Sequence, residues 1–220
     1  MPSIDVQKAR FNMIEQQIRP WNVLDAAVLD LLASVRRDAF VADAHKALAY
    51  ADLEIPLPGG QCMLAPRLEA RLLQDLNVKK TDKVLEIGTG SGFLTALLAH
   101  QAASVLSLEL NPELVAFAKS NLQKAGISNA DVRQGDGVQG AAAHGPFDVI
   151  VLGGSVADIP HHLLEQLKVG GRLAAVVGDE PVRCATFVTR TSATDFRTIQ
   201  PWDCDAPRLQ NFAEKSRFTF

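Results

Sequence analysis

An apolar strand that empties into alternate glycines constrains this chain more than any other feature. Lys83-Val84-Leu85-Glu86-Ile87 runs into Gly88-Thr89-Gly90-Ser91-Gly92, and a helical pattern starts near Phe93 and continues through Leu94, Leu97, Leu98 and Ala99. Val84, Leu85 and Ile87 read as a buried strand, and the three glycines remove the β-carbons that would keep a ligand off a turning backbone. A strand, turn and helix of this kind open a doubly wound α/β sheet and place a nucleotide-type ligand at the turn.

Spacing separates two ligand classes. A dinucleotide site wants Gly-x-Gly-x-x-Gly, and the position of its third glycine holds Phe93. The pattern present, acid-x-Gly-x-Gly-x-Gly, resembles the first motif of class I S-adenosylmethionine methyltransferases. That resemblance makes Glu86, Gly88, Thr89, Gly90, Ser91 and Gly92 cofactor-binding residues. It suits the charge as well, because S-adenosylmethionine carries an ammonium and a sulfonium but no pyrophosphate, so a carboxylate beside the turn attracts rather than repels it.

Two more strand ends carry acids. Val105-Leu106-Ser107-Leu108-Glu109-Leu110 precedes Asn111-Pro112, where proline suits the opening of a helix. Glu109, with Leu110 beside it, is placed to accept from both ribose hydroxyls. The strand from Ala130 to Arg133 runs into Gln134-Gly135-Asp136-Gly137, where Asp136 would take the adenine amino group while the backbone at Gly137 reaches the ring edge. Buried strands follow at Phe147 to Gly154 and Gly170 to Gly178, with a helix over Ile159 to Leu167 between them. Two less buried strands are expected around Thr186 to Thr189 and Phe196 to Ile199. The alternation predicts an α/β, doubly wound, mostly parallel seven-stranded Rossmann-like methyltransferase sheet with an N-terminal helical cap.

From Met13 to Val177 the chain resembles the protein-L-isoaspartate (D-aspartate) O-methyltransferase family. The resemblance is carried by Arg37-Asp38-Ala39-Phe40-Val41, Ala49-Tyr50-Ala51-Asp52, Pro56-Leu57, Gly60-Gln61 and the glycine motif. It continues in Gly135-Asp136-Gly137-Val138-Gln139-Gly140, Pro146-Phe147-Asp148, and Ile159-Pro160 leading to Gln166-Leu167 and Gly170-Gly171. It implies methyl transfer from S-adenosylmethionine, leaving S-adenosylhomocysteine, to the carboxylate of isoaspartyl residues in damaged proteins. A carboxylate with a pKa near 4 needs no general base. Positioning and exclusion of water then supply the catalysis.

One segment departs from that family. A Thr-Ile-Ser segment, whose hydroxyls cap the site and meet the substrate carboxylate, is here Cys62-Met63-Leu64, so Leu64 stands where the serine hydroxyl would be. A leucine cannot donate a hydrogen bond, and a thiol donates only weakly. Gln61, Cys62, Met63 and Leu64 are nevertheless the expected substrate-side residues, with backbone amides as alternative donors. Asp205-Ala206-Pro207-Arg208-Leu209 loosely matches a cleft-closing Pro-Leu segment, and Arg208 is a candidate contact for a carboxylate. The departure keeps two other readings open: a methyltransferase of an unknown small molecule, and a non-catalytic cofactor-binding protein.

With 220 residues, 47% of them hydrophobic, the chain has the length for one domain. Residues 1–54 are expected as a helical cap over the cleft, 55–65 as a linker and active-site segment, and 66–220 as the sheet and its helices. In the cap, Ser3 is expected to start a helix through about Gln17, and Leu24 to Val35 reads as a second. The net charge of −3 and the lack of a basic cluster argue against nucleic acid. The five histidines show no metal spacing, so no metal is expected. Three separated cysteines, no basic apolar leader and no run of membrane length point to a cytoplasmic protein.

Overall fold

Strand and helix alternate as expected in the computed structural model, which describes residues 5–214. α1 (Val6–Met13) is capped by Asp5, whose side chain accepts from the Gln7 and Lys8 amides, and its path continues as a π turn to Ile18. Asp5 thus takes the capping role expected of Ser3, which lies outside the described residues. α2 (Ala26–Ser34) is capped in the same way by Asp25. β1 (Ile55–Pro56) and β2 (Cys62–Met63) form a short antiparallel pair around the turn Pro58–Gly60. α3 (Pro66–Leu76) follows, an addition to the elements expected from sequence.

The main sheet then builds from β3 (Lys83–Ile87), β4 (Ser104–Glu109), β5 (Ala130–Gln134), β6 (Phe147–Val156), β7 (Leu167–Asp179), β8 (Val182–Arg190) and β9 (Phe196–Asp203). α4 (Phe93–Gln101), α5 (Pro112–Lys124) and α6 (His161–Leu164) connect them. The strand order is β5-β4-β3-β6-β7-β8-β9. The first five run parallel, and β8 and β9 join antiparallel at one edge. The direction of strand addition reverses between β3 and β6, and ligands of such sheets bind at that switch point, beyond the carboxyl ends of the strands.

Period-two alternation distributes the core. Val84, Val105, Val149 and Val151 face α3, α4, α5 and the N-terminal helices, whereas Leu85, Ile87, Ile150 and Leu152 face the opposite side. The second side is thinly covered. The helix expected over Ile159 to Leu167 shrinks to the four residues of α6, because Leu167 already pairs with Phe147 and strand pairing takes over the segment. Phe212 from the C-terminal segment helps to cover that face.

The cap lies elsewhere than expected. Met13, Ile18, Val28 and Leu32 pack with Leu68, Leu72, Phe93 and Leu97 in one core, so residues 5–54 sit on the helical face of the sheet and contribute no lining to the cleft. The physical reason is the apolar outer surface left by α3 and α4, which the cap residues bury. Among the described residues, no helix is long and apolar enough to cross a membrane.

Candidate functional site

Two adjoining clefts open at the switch point, with about 470 and 550 Å³ of space, and they share Gln61, Gly88, Glu109 and Leu209. The glycine turn forms their common wall. Gly88, Gly90 and Gly92 adopt φ values of 93°, 56° and 85°, the left-handed region that favours glycine. Across the cleft floor Gly153 of β6 approaches so closely that a β-carbon would lie 2.4 Å from the Gly88 carbonyl oxygen. Asn121 of α5 braces the turn from behind, its side-chain amide donating to the Ser91 carbonyl at 3.0 Å.

Glu109 ends β4 as expected and lines both clefts. Its carboxylate accepts from the Gly90 amide at 2.9 Å and the Asn111 amide at 3.0 Å, so both oxygens are held in place with lone pairs to spare. In the second cleft Leu110 is 38% exposed near Gly137 and Asp136. One Asp136 oxygen caps the Val138 amide and the other accepts from Asn211 at 2.8 Å, which ties the C-terminal segment across the cleft mouth.

Glu86 is placed differently from the sequence expectation. Alternation along β3 turns it toward α4, on the same side as Val84, where it is fully buried behind the turn and lines neither cleft. Thr95 and Ser107 donate to one of its oxygens at 2.5 and 2.6 Å, and its other oxygen is buried without a partner. Because Ser107 spends its proton on Glu86, the 2.5 Å contact between Thr89 and Ser107 is donated by Thr89. Burial raises the Glu86 pKa to about 8.

Arg208 is likewise no part of the cleft lining. Its guanidinium donates to the Gly178 carbonyl at 2.9 Å and to Asp179 at 2.6 Å, and pairs with Glu214 at 3.0 Å. An extended segment turns alternate side chains apart, so it is Leu209 that enters, donating its amide to the Ser155 carbonyl. A β-carbon at Gly88 would stand 2.9 Å from its methyl group. Of the segment 205–209, Leu209 is the residue that lines both clefts.

Gln61, Cys62, Met63 and Leu64 all line the first cleft. The Cys62 thiol donates to Glu54 at 3.4 Å, and burial, then the Glu54 charge, push its pKa up to about 12, so it is no nucleophile. Sequence reasoning missed Glu69 on α3, which lines the same cleft and is 3% exposed. A readable signal existed: with Leu72, Leu73 and Leu76, Glu69 falls on the apolar face of its helix. One of its oxygens lies 3.6 Å from Nε of the fully buried Arg37. Arg37 also donates to the Ala49 carbonyl at 2.9 Å and the Leu64 carbonyl at 2.6 Å. Burial lowers the arginine and raises Glu69 to about 7.

The lining therefore carries Glu69, Glu109 and Asp136 but, among the described residues, no Lys, Arg or His. A pyrophosphate would find no positive side chain there, whereas a cationic nucleoside meets the Glu109 and Asp136 carboxylates. The donor set fits S-adenosylmethionine rather than a dinucleotide.

Known proteins agree with this reading. The family model described as protein-L-isoaspartate (D-aspartate) O-methyltransferase matches residues 8–200. A protein-L-isoaspartate O-methyltransferase of Koribacter versatilis is 38% identical over 195 residues, covering 89% of this chain and 87% of the relative. A second, from Syntrophobacter fumaroxidans, is 41% identical over 176 residues, covering 80% and 82%. Among solved structures, a Plasmodium falciparum protein assigned to the same kind of enzyme, in complex with S-adenosyl-L-homocysteine, superposes with a TM-score of 0.80. It is 20% identical, and the match covers 94% of this chain and 99% of that one, a likeness of fold. Residues 8–200 and relatives near 40% identity together make this chain a member of the protein-L-isoaspartate (D-aspartate) O-methyltransferase family.

Proposed function

We propose that this protein transfers a methyl group from S-adenosylmethionine to the carboxylate of L-isoaspartyl residues in damaged proteins. The observation that carries the reading is the acidic, cation-free cleft at the switch point of a chain that belongs to this family. When bound, S-adenosylmethionine supplies a methyl group on a sulfonium, open to attack by an ionised oxygen. Glu109 orients the ribose through hydroxyl hydrogen bonds, while its own position is locked by the Gly90 and Asn111 amides. Asp136, Gly137 and Leu110 receive the base. Gly88, Thr89, Gly90, Ser91 and Gly92 let the backbone approach the ligand closely.

Gln61 to Leu64 and Leu209 close the acceptor side and exclude water, which would otherwise weaken every electrostatic contact in the site. The substrate carboxylate arrives ionised at neutral pH, so no side chain has to remove a proton from it. Held by Glu109, Asp136 and the glycine turn, S-adenosylmethionine would give up its methyl carbon to the carboxylate oxygen as its carbon–sulfur bond broke, so that an ester and a thioether would result without net charge. A lining that among the described residues carries no Lys, Arg or His leaves the ionised oxygen of the substrate unpaired by any side-chain cation.

The relatives of 38% and 41% identity do not favour a different small-molecule substrate. The test is methylation of an isoaspartyl peptide beside its ordinary aspartyl twin. Methyl ester formation on the first alone is the expected result, and equal or absent transfer to both rejects the proposal.

A further inference from the structure

The first cleft ends at the acceptor segment, where Gln61 brings a side-chain amide but the positions that follow it bring few groups able to hold a carboxylate substrate. Of the side chains at positions 62–69 that face this cleft, the Cys62 thiol is committed to Glu54, and Met63 and Leu64 have no donor. Glu69 is the remaining polar group. Arg37 links it to Leu64, since the guanidinium that faces Glu69 also donates to the Leu64 carbonyl. Both the facing Glu69 oxygen and the Arg37 Nε lack a hydrogen-bond partner, so the pair is close without being closed.

We propose that Glu69, holding a proton, is the substrate-binding hydrogen-bond donor of the acceptor site and meets the isoaspartyl carboxylate beside Leu64. The inference rests on the function proposed above. Two carboxylates in one water-poor site do not both ionise, and the one that must be ionised is the nucleophile. Glu69 therefore keeps the proton and lends it as a hydrogen bond. It stays protonated through the transfer, and the ester product no longer competes for that proton.

The surrounding charges are consistent with this. Arg37 favours the ionised form, but its own charge is shared with the Ala49 and Leu64 carbonyls and drawn on by Asp52 and Tyr50. Glu69 disfavours ionisation of Glu86 behind the turn on β3, and Glu109 lines the same cleft as Glu69. Burial outweighs the Arg37 attraction and raises Glu69 to about 7. An acid with that value carries its proton below neutrality and loses it above, so the donor form is present at low pH and fades as pH rises.

The test measures kcat/KM for a synthetic isoaspartyl peptide from pH 5.5 to 9 in the unaltered enzyme, Glu69→Gln and Glu69→Leu. Binding of S-adenosylhomocysteine to each protein serves as the control for a folded cofactor site. Above about pH 7 the unaltered enzyme is expected to lose about tenfold per pH unit, the slope of one proton. Glu69→Gln, whose amide donates at every pH, is expected to flatten that limb. Glu69→Leu is expected at least tenfold below Glu69→Gln at pH 6.5. A Gln variant that keeps the alkaline decline, or a Leu variant as active as the Gln variant, overturns the role of Glu69 while leaving the proposed function intact. An unaltered enzyme that binds S-adenosylhomocysteine yet transfers nothing to the peptide overturns the proposed function and this inference together. Should the Leu variant fail to fold, the near-isosteric Gln variant decides by its pH profile alone.

Discussion

Replacing Glu86 by Gln should stabilise the ligand-free protein at alkaline pH and leave it nearly unchanged in acid. Glu86 has no solvent exposure, and burial raises its pKa from 4.5 to about 8 against the opposing hydrogen bonds from Ser107 and Thr95. In the unfolded chain the carboxyl ionises near 4.5, so the folded state holds a proton that the unfolded state has released across the interval between the two values. Stability contributed by this group is intact below about 4.5 and declines as pH rises toward about 8. Full retention of the rise corresponds to roughly 5 kcal/mol, and structural relaxation around the ion reduces it to about 2–5 kcal/mol. Glutamine presents its oxygen to Thr95 and Ser107 and cannot ionise. Relative to the unaltered protein it should therefore gain roughly 5–15 °C in Tm between pH 5 and 8.5 for a chain of this size. Differential scanning calorimetry of both proteins at the two pH values reads the difference directly, and other titrating groups cancel in the comparison. A Tm difference that is the same at both pH values refutes the reasoning, because it means Glu86 is not held protonated by its burial.

Glu109→Ala removes the acceptor of the Gly90 and Asn111 amides as well as the proposed ribose contact, so S-adenosylhomocysteine should bind roughly 1–3 kcal/mol more weakly by calorimetry. An unchanged Kd removes Glu109 from the cofactor site. Arg208→Ala should lower Tm by a few degrees, because it frees the Gly178 carbonyl, Asp179 and Glu214, while KM for an isoaspartyl peptide stays within about twofold. A tenfold rise in KM at constant Tm would return Arg208 to the substrate site.

The central part of this fold is legible in the chain because its signals are local. The glycines at 88, 90 and 92 announce a turn open to a ligand, Asn111-Pro112 announces a helix start, and the acids at 109 and 136 stand at strand ends. Each of these rests on a residue's own backbone preference or on its neighbours a few positions away. Glu86 shows where locality ends. Its place beside the glycines suggested a ligand contact, yet the period of two along β3 aims it at α4, and only the packed helix reveals that the side chain is enclosed.

Identity of the motif, the alternation of strands with helices and the resemblance to the family were thus determined by the linear sequence, through turn chemistry and periodicity. Tertiary structure alone decided which polar groups share the cleft. Arg37, Leu64 and Glu69 meet only after the cap has packed on α3, and Leu209 reaches Gly88 from more than a hundred residues away, by a parallel bridge beside β6 that turns Arg208 outward. Such meetings depend on which surfaces must be buried against one another, and that is a property of the assembled layers, not of any single stretch of chain.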